Sequence, residues 1–282
     1  MNALFVANKP IGISSNFFLS KLKRKYGVKK AGFSGTLDLF ASGNLIIAFG
    51  DYTKFFRFLD KEPKVYKATL WLGAKSKSLD SENIQSIKNI SLFDKSIIEM
   101  IVKNLQGELT YTPPKFSAKK INGKRAYEMA RNDEEFELKE CKMNIYESKI
   151  INYSHPFLTI LLSVSEGAYI RSYAELFSKK LGCDITLSAL NRVSEGKFKY
   201  ENEKFLNPFE YLNLKENFYL GDLDDVILGK KLNFKNFKFL DDGEYLLNLG
   251  EFYSIVQIEN NQVKYLWNRI KIWKVMQNLI FF

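Results

Sequence analysis

A chain of 282 residues with 46% hydrophobic content is long enough to bury a sizeable core, which excludes a disordered tail and leaves one large domain or one domain with a small appendix. Forty-two Lys and Arg against 32 Asp and Glu give a formal net charge of +10, which favours a polyanionic partner, nucleic acid first and a membrane surface second. A single histidine, His155, and two cysteines, Cys141 and Cys183, argue against a His-based metal site, a Ser-His-Asp triad, a zinc knuckle or a disulfide framework. With no apolar run long enough to span a bilayer and no charged-then-apolar leader, a cytoplasmic, metal-free protein is expected.

Leu4 to Ala7 reads as a first strand, broken by Lys9-Pro10 and Gly12. Ser14 or Ser15 can cap a helix that carries Phe18, Leu22 and Tyr26 on one face and stops at Gly27. Its other face holds Lys21, Lys23, Arg24 and Lys25, with Lys29 and Lys30 just beyond and no acidic residue interleaved. Such a run is either a solvated face or a surface for a charged backbone. Gly32-Phe33-Ser34-Gly35-Thr36-Leu37-Asp38 then leads into an apolar segment, Asn44 to Phe49. A carboxylate in a Gly-rich turn ahead of a strand is either a turn cap or a group displayed to a ligand that the backbone approaches closely.

Val65 to Leu72 alternates as a half-buried strand, with Tyr66, Ala68, Leu70 and Leu72 on one side. Ser91 to Leu105 reads as a helix with the stripe Ile97, Ile98, Ile101, Val102 and Leu105, closed by Gly107. Phe157 to Val164 reads as a fully apolar strand. Arg171 to Leu181 reads as a helix ending at Gly182, with Lys179 and Lys180 in its last turn. After about residue 212 come short strand-like runs: Tyr245 to Leu247, Phe252 to Ile258 and Val263 to Trp267, the last two joined at Asn260-Asn261. Strands and helices do not alternate. The expected fold is therefore α+β, a mixed and mostly antiparallel central sheet flanked by helices and loops, with domains at 1–212 and 213–282.

Several segments carry a family pattern. They are Lys9-Pro10-x-Gly12 with Ser14-Ser15, Gly32 to Gly43, Gly50-Asp51-Tyr52-Thr53-Lys54, Lys64-x-Tyr66, Pro113 to Arg131, Gly167-x-Tyr169-Ile170-Arg171-Ser172 and Leu190-Asn191-Arg192. In this order and approximate spacing, over residues 4–200, they resemble the TruB-type tRNA pseudouridine synthases. That family isomerises the uridine at position 55 of the tRNA T loop. The resemblance implies the pseudouridine synthase fold, a small β-rich, PUA-like RNA-binding domain at the C-terminus, and no cofactor or metal. It implies tRNA, through its T-stem loop, as the partner. With no heptad, no obvious association strand and no apolar span, a monomer that needs no protein partner and no membrane is expected.

By the same resemblance Asp38 is the catalytic carboxylate and Arg171 the arginine paired with it. Tyr66 stacks on the target base and supports proton removal from C5. Tyr169 and Leu190 line the pocket, and Lys9 belongs to the substrate-binding group. Phe33 stands where the family inserts a histidine into the space left by the flipped base, and it can stack there without donating a hydrogen bond. The basic helix face, Lys29 and Lys30, together with Lys119, Lys120, Lys124 and Arg125, are candidates for RNA-backbone contacts. Other departures are Leu39 for the usual Pro, Tyr111 where Gln is common, Asn191 for one arginine, and a loose match of Lys77 to Ser81 to a Thr-x-Thr-x-Asp pattern. Two rival readings are a guide-RNA-dependent relative of the same fold and a tRNA-folding helper with weak or no catalysis.

Overall fold

The computed structural model describes residues 1–271 apart from positions 118, 122 and 133. Ala118 and Asn122 of the Pro113–Arg131 pattern, and the last eleven positions of the expected C-terminal domain, 272–282, lie outside the described residues. The chain forms two compact units: Met1–Phe56 with Asp60–Leu206, and Arg57–Leu59 with the chain from Asn207 onward.

In the first unit the elements run β1 (Ala3–Lys9), α1 (Ser15–Lys25), β2 (Ala31–Ser34), β3 (Ala41–Phe49), β4 (Lys64–Leu72), β5 (Ala74–Ser76), β6 (Ile84–Ile87) and α2 (Lys95–Asn104). They continue with β7 (Gly107–Tyr111), β8 (Lys120–Ile121), β9 (Lys124–Arg125), α3 (Ala126–Arg131), β10 (Cys141–Ser154), β11 (Phe157–Val164), α4 (Ile170–Leu181) and β12 (Ile185–Glu195). The main sheet has the order β1-β3-β12-β4-β11-β10-β7, with β2 added to β3. Only β3 and β12 run parallel, so the sheet is mixed and mostly antiparallel, as the sequence leads one to expect.

Local chemistry sets these elements. Ser14 caps α1, its Oγ accepting from the Phe17 N–H at 3.1 Å, and Phe18 and Leu22 turn inward onto Phe5 and Phe49. Burying each of those two side chains contributes about 2 kcal/mol. The alternation in β4 puts Tyr66, Ala68, Leu70 and Leu72 into the core beneath α2 and α4. In β11, Leu158, Ile160, Leu162 and Val164 are buried while Phe157, Thr159, Leu161 and Ser163 face the other way. That strand alternates rather than being buried on both sides.

The second helix differs from its sequence reading. α2 starts at Lys95 because Asp94 caps it, its carboxylate accepting from the Ser96 N–H at 2.7 Å. Ile97 falls off the apolar stripe at 41% exposure, and Gly107 opens β7 instead of capping the helix. α4 ends as expected at Gly182, whose φ of 75° forms a left-handed cap.

The second unit is β-rich: β13 (Lys215–Asn217), β14 (Gly243–Asn248), β15 (Phe252–Glu259) and β16 (Gln262–Lys271) make one sheet, with a short helix α5 (Leu223–Ile227). Asn260 and Asn261 both take positive φ, 51° and 60°, which is what a two-residue hairpin turn demands. Arg57–Leu59 joins this unit through a bridge from Leu59 to Leu212 and the Asn213 N–H donating to the Phe58 carbonyl at 2.7 Å. Among the described residues no helix is long and apolar enough to cross a membrane.

The parallel pair depends on one glycine. Gly43 lies opposite Arg192 with φ of 111°, and a Cβ there would stand 2.3 Å from the Arg192 carbonyl oxygen and 2.6 Å from its nitrogen. Gly43→Ala is expected to lower stability by about 3 kcal/mol, measured by urea unfolding. A loss below about 0.5 kcal/mol would show that the two strands can part without cost.

Candidate active site

Asp38 sits in the loop between β2 and β3, and the opening segment of the chain clamps that loop from below. Ser15 Oγ both donates to the Leu37 carbonyl and accepts from the Leu37 N–H, each at 3.0 Å. The Gly12 N–H donates to the Leu39 carbonyl at 2.8 Å. Both neighbours of Asp38 are thereby held, Leu37 by the Ser15 hydroxyl and Leu39 by the Gly12 backbone, which supplies the restraint that a proline at position 39 would otherwise give. Leu37 is buried in the core, while Leu39 is 41% exposed. Lys9 is fully buried under this clamp, with Nζ donating to the Pro10 and Ile13 carbonyls at 2.9 and 2.8 Å.

Arg171, in the first turn of α4, is only 3% exposed. Its Nε lies 3.0 Å from Asp38 Oδ2. Nη1 donates to the Ser78 carbonyl at 3.1 Å and Nη2 to the Phe116 carbonyl at 2.8 Å. A second carboxylate, Asp80 Oδ2, stands 3.6 Å from Nη1. A cation at a helix N-terminus opposes the helix dipole, and here two carboxylates and two carbonyls offset that cost.

Asp80 is itself buried and accepts from Ser78 Oγ at 2.6 Å and from the Glu82 N–H at 3.0 Å. Ser78 Oγ also contacts Ser76 Oγ at 3.2 Å and accepts from Asn83 Nδ2 at 3.1 Å. Asp80 is not among the site residues expected from sequence. The spacing Ser76-x-Ser78-x-Asp80 is its signal, a serine version of the Thr-x-Thr-x-Asp pattern that begins one residue ahead of Lys77.

The remaining site residues gather less evenly. Tyr66 and Leu190 lie in one apolar cluster with Leu37 and Phe40, and Leu190 pairs with Ala41 of β3 and Ala68 of β4. Tyr169 is the N-cap residue of α4, half-buried, with its ring 6.3 Å from that of Tyr111. The Tyr111 hydroxyl donates to the Gly167 carbonyl at 3.0 Å, so the tyrosine at that position pins the turn before Tyr169. Phe33 packs instead against the separate cluster of β1, α1 and β3.

The basic candidates also divide. Lys25 pairs with Glu203 at 2.6 Å and Lys30 with Asp51 at 2.8 Å, partners distant in sequence that the local charge run does not reveal. Lys21, Lys23, Arg24 and Lys29 have no acidic partner at ion-pair distance among the described residues. Lys120 is on β8, with Lys124 and Arg125 on β9; all three are exposed, and Lys124 lies 3.4 Å from Glu134. Lys119 contacts Cys141 Sγ.

Burial pushes the Asp38 carboxyl above its usual range; Arg171 and Lys9 pull it down, and Asp80 pushes it up. Its side chain is nevertheless 39% exposed, and Oδ1 has no hydrogen bond among the described residues. One oxygen is thus held by a fixed guanidinium, on a side chain that remains part-exposed. Lys9 is drawn down to about 8, mainly by burial, with Asp38 opposing. Such a carboxylate can act as a nucleophile or as a base. Among the described residues no group of three His, Cys, Asp or Glu side chains could hold a metal ion.

Residues 23–170 match the model of the TruB family pseudouridylate synthase N-terminal domain, ending immediately before Arg171. Over 271 residues the chain is 60% identical to the tRNA pseudouridine synthase B of Campylobacter concisus (strain 13826), covering 96% of this chain and 99% of that one. The chain belongs to the TruB family of pseudouridylate synthases. A more distant member of the same family, the tRNA pseudouridine synthase B of a Nitratiruptor species, is 51% identical over 96% of this chain and 98% of its own. Pseudouridine synthesis is an isomerisation, so the family membership makes this chain an isomerase. A solved Cbf5-Nop10-Gar1 complex matches with a TM-score of 0.67 at 17% identity, over 96% of this chain and 84% of that one. An archaeal box H/ACA Nop10-Cbf5 complex matches at 0.62 and 16%, over 96% and 85%. These likenesses show the shared α+β fold with its β-rich C-terminal region.

The raised Asp38 carboxyl has a consequence for stability. An acid whose folded pKa exceeds its unfolded value costs stability wherever it is ionised, and the cost vanishes below the unfolded value. Asp38→Asn is therefore expected to raise the melting temperature at pH 7 relative to the native chain. That gain should shrink as pH falls through the folded pKa and disappear near pH 4. A variant less stable than the native chain at pH 7 would show that the pairing with Arg171 outweighs desolvation.

Proposed function

We propose that this chain converts uridine 55 in the T loop of tRNA to pseudouridine, with Asp38, Arg171 and Tyr66 as its catalytic residues. The observation that carries the reading is the half-open Asp38 carboxylate fixed by Arg171 Nε at 3.0 Å. The relatives' name supplies tRNA as the substrate.

Substrate and product are isomers: the C1′–N1 bond breaks, the uracil turns, a C5–C1′ bond forms, the C5 proton leaves and N1 gains one. Nothing is oxidised or reduced, so the reaction calls for no cofactor. Asp38 Oδ1 can attack C1′, attack C6, or take the proton whose loss leads to a glycal. Each route needs the same ionised carboxylate, which is the task of Arg171. Tyr66, packed beside Leu37 and Leu190, offers a flat face to the base and a hydroxyl for proton transfer from C5.

The uridine must leave its stack to reach Asp38, at a cost of roughly a few kcal/mol. Phe33, Tyr169 and Leu190 are the apolar surfaces assigned to the flipped base and its neighbours, and Lys9 keeps the floor of the site positive. The β-rich C-terminal unit is read as a PUA-like RNA-binding domain. The surface cations Lys21, Lys23, Arg24, Lys25, Lys29, Lys30, Lys119, Lys120, Lys124 and Arg125 are assigned to the RNA backbone. The reading carries with it a cytoplasmic monomer that works without a protein partner.

An unmodified tRNA transcript with tritium at C5 of its uracils tests this directly. The native chain is expected to release one label per tRNA, none when uridine 55 is replaced by cytidine, and none with Asp38→Asn. Tight, salt-sensitive binding without release would replace this reading with that of a folding helper. Tyr66→Phe is expected to bind the transcript as the native chain does but to slow product formation by about 10²-fold or more. Full turnover by that variant would remove the hydroxyl from the mechanism.

A further inference from the structure

Beneath the catalytic loop lies a second charged group that the mechanism above does not use. Lys64, Arg192 and Glu195 have side chains 8%, 1% and 0% exposed. Glu195 Oε1 lies 2.9 Å from Arg192 Nη2, and Oε2 lies 3.1 Å from Lys64 Nζ. Neither oxygen has an aligned hydrogen bond among the described residues, so opposite charge, more than directed bonding, holds this carboxylate. Lys64 Nζ also stands 3.6 Å from Glu166 Oε1, which is 3.1 Å from Lys61 Nζ. In the sequence Lys64 and Arg192 are merely members of two short motifs, and nothing marks Glu195.

The group touches every segment that supplies a catalytic residue. Arg192 Nη2 donates to the Gly35 carbonyl and Nε to the Asn44 carbonyl, both at 2.8 Å, so it holds the start of the Asp38 loop and the strand β3 that follows it. Gly35, with φ of 67°, passes so close that a Cβ there would lie 3.1 Å from Arg192 Nη1, 3.1 Å from Glu195 Oε2 and 3.2 Å from Lys64 Nζ. In the β4–β12 register Arg192 is opposite Tyr66 and Glu195 is opposite Lys64. Glu166 leads through Gly167 and Tyr169 to Arg171.

A buried ion cluster is a weak device for stability, because apolar side chains of similar volume often do better. Its distinctive property is that fixed charges hold separate segments at set distances. We propose that Lys64 and Glu195 are positioning residues: with Arg192 they set the Asp38 loop against the Tyr66 strand and the start of the Arg171 helix. Lys64 is the hub, since one ammonium bridges the carboxylate beneath the loop and the carboxylate ahead of α4. This proposal rests on the catalytic roles assigned under Proposed function, but its geometry can be tested without them.

Lys64→Met removes the hub and leaves Arg192 and Glu195 balanced. Amide hydrogen exchange is expected to quicken at residues 34–40 and 166–171 while β10 and β11 keep native rates. Single-turnover tritium release from the tRNA transcript is expected to fall about 10²-fold, with tRNA affinity within about twofold of native, since a displacement of about 1 Å is enough for such a loss. Lys64→Arg, which keeps the charge and the reach, should recover most of the rate.

Glu166→Gln lies on the exposed side of the group and keeps the test open if Lys64→Met does not fold. It should quicken exchange at 166–171 alone and slow release about tenfold. Native exchange in both segments, or exchange that rises uniformly over the sheet, overturns the proposal whatever the rates. If the native chain releases no label, the catalytic reading fails, and the exchange pattern alone still decides whether the cluster positions these segments.

Discussion

A carboxylate at the edge of an apolar core keeps its charge only where a cation is fixed beside it, and Arg171 is that cation for Asp38. Burial and attraction act on the same carboxyl in opposite directions. The guanidinium is buried too, so it needs acceptors on every side: Asp38, Asp80 and the Ser78 and Phe116 carbonyls. Each acceptor imposes a demand on the chain. The β5–β6 connection must turn through Leu79, at a φ of 61°, to bring Ser78 and Asp80 together. The segment ahead of α4 must also be held, as the Tyr111 hydroxyl does at Gly167.

The sheet brings these demands to one place. β3 and β12 lie side by side although far apart in sequence, and β12 also pairs with β4. Asp38, just ahead of β3, thereby precedes a strand that pairs with the strand of Leu190 and Arg192, which in turn pairs with the strand of Tyr66. α1 contributes at a distance, since its first residue, Ser15, closes both hydrogen bonds to Leu37. A helix whose surface is basic is thus also a structural prop of the Asp38 loop.

What was legible in the sequence was mainly local. Ser14 as a cap, Gly182 as a stop, the alternation through Tyr66 and the Asn260-Asn261 turn all follow from rules that act within a few residues. The pairing of Asp38 with Arg171 was legible only through the family resemblance, because 133 positions separate them. Asp80 was visible as a spacing but read out of register. Glu195 left no mark because it meets Lys64 only across the β4–β12 pair, and the joining of Arg57–Leu59 to the C-terminal unit left none because its partners, Leu212 and Asn213, are far away in sequence. The start of α2 was misplaced because Ser91 and Asp94 are both good caps, and only Asp94 has an amide in reach.

The acidic partners of the basic stretch bear on how an RNA would be held there. Lys25 is neutralised by Glu203 and Lys30 by Asp51, and Glu203 is also bound by the Tyr26 hydroxyl. A cation already paired displaces few counterions from a nucleic acid, because an internal anion must first be given up. Of the six basic residues from Lys21 to Lys30, four remain to exchange with the ionic atmosphere of a phosphate backbone. The ionic-strength sensitivity of that face is therefore capped at roughly one unit of logarithmic slope for each of those four, below what the bare count of positive residues implies.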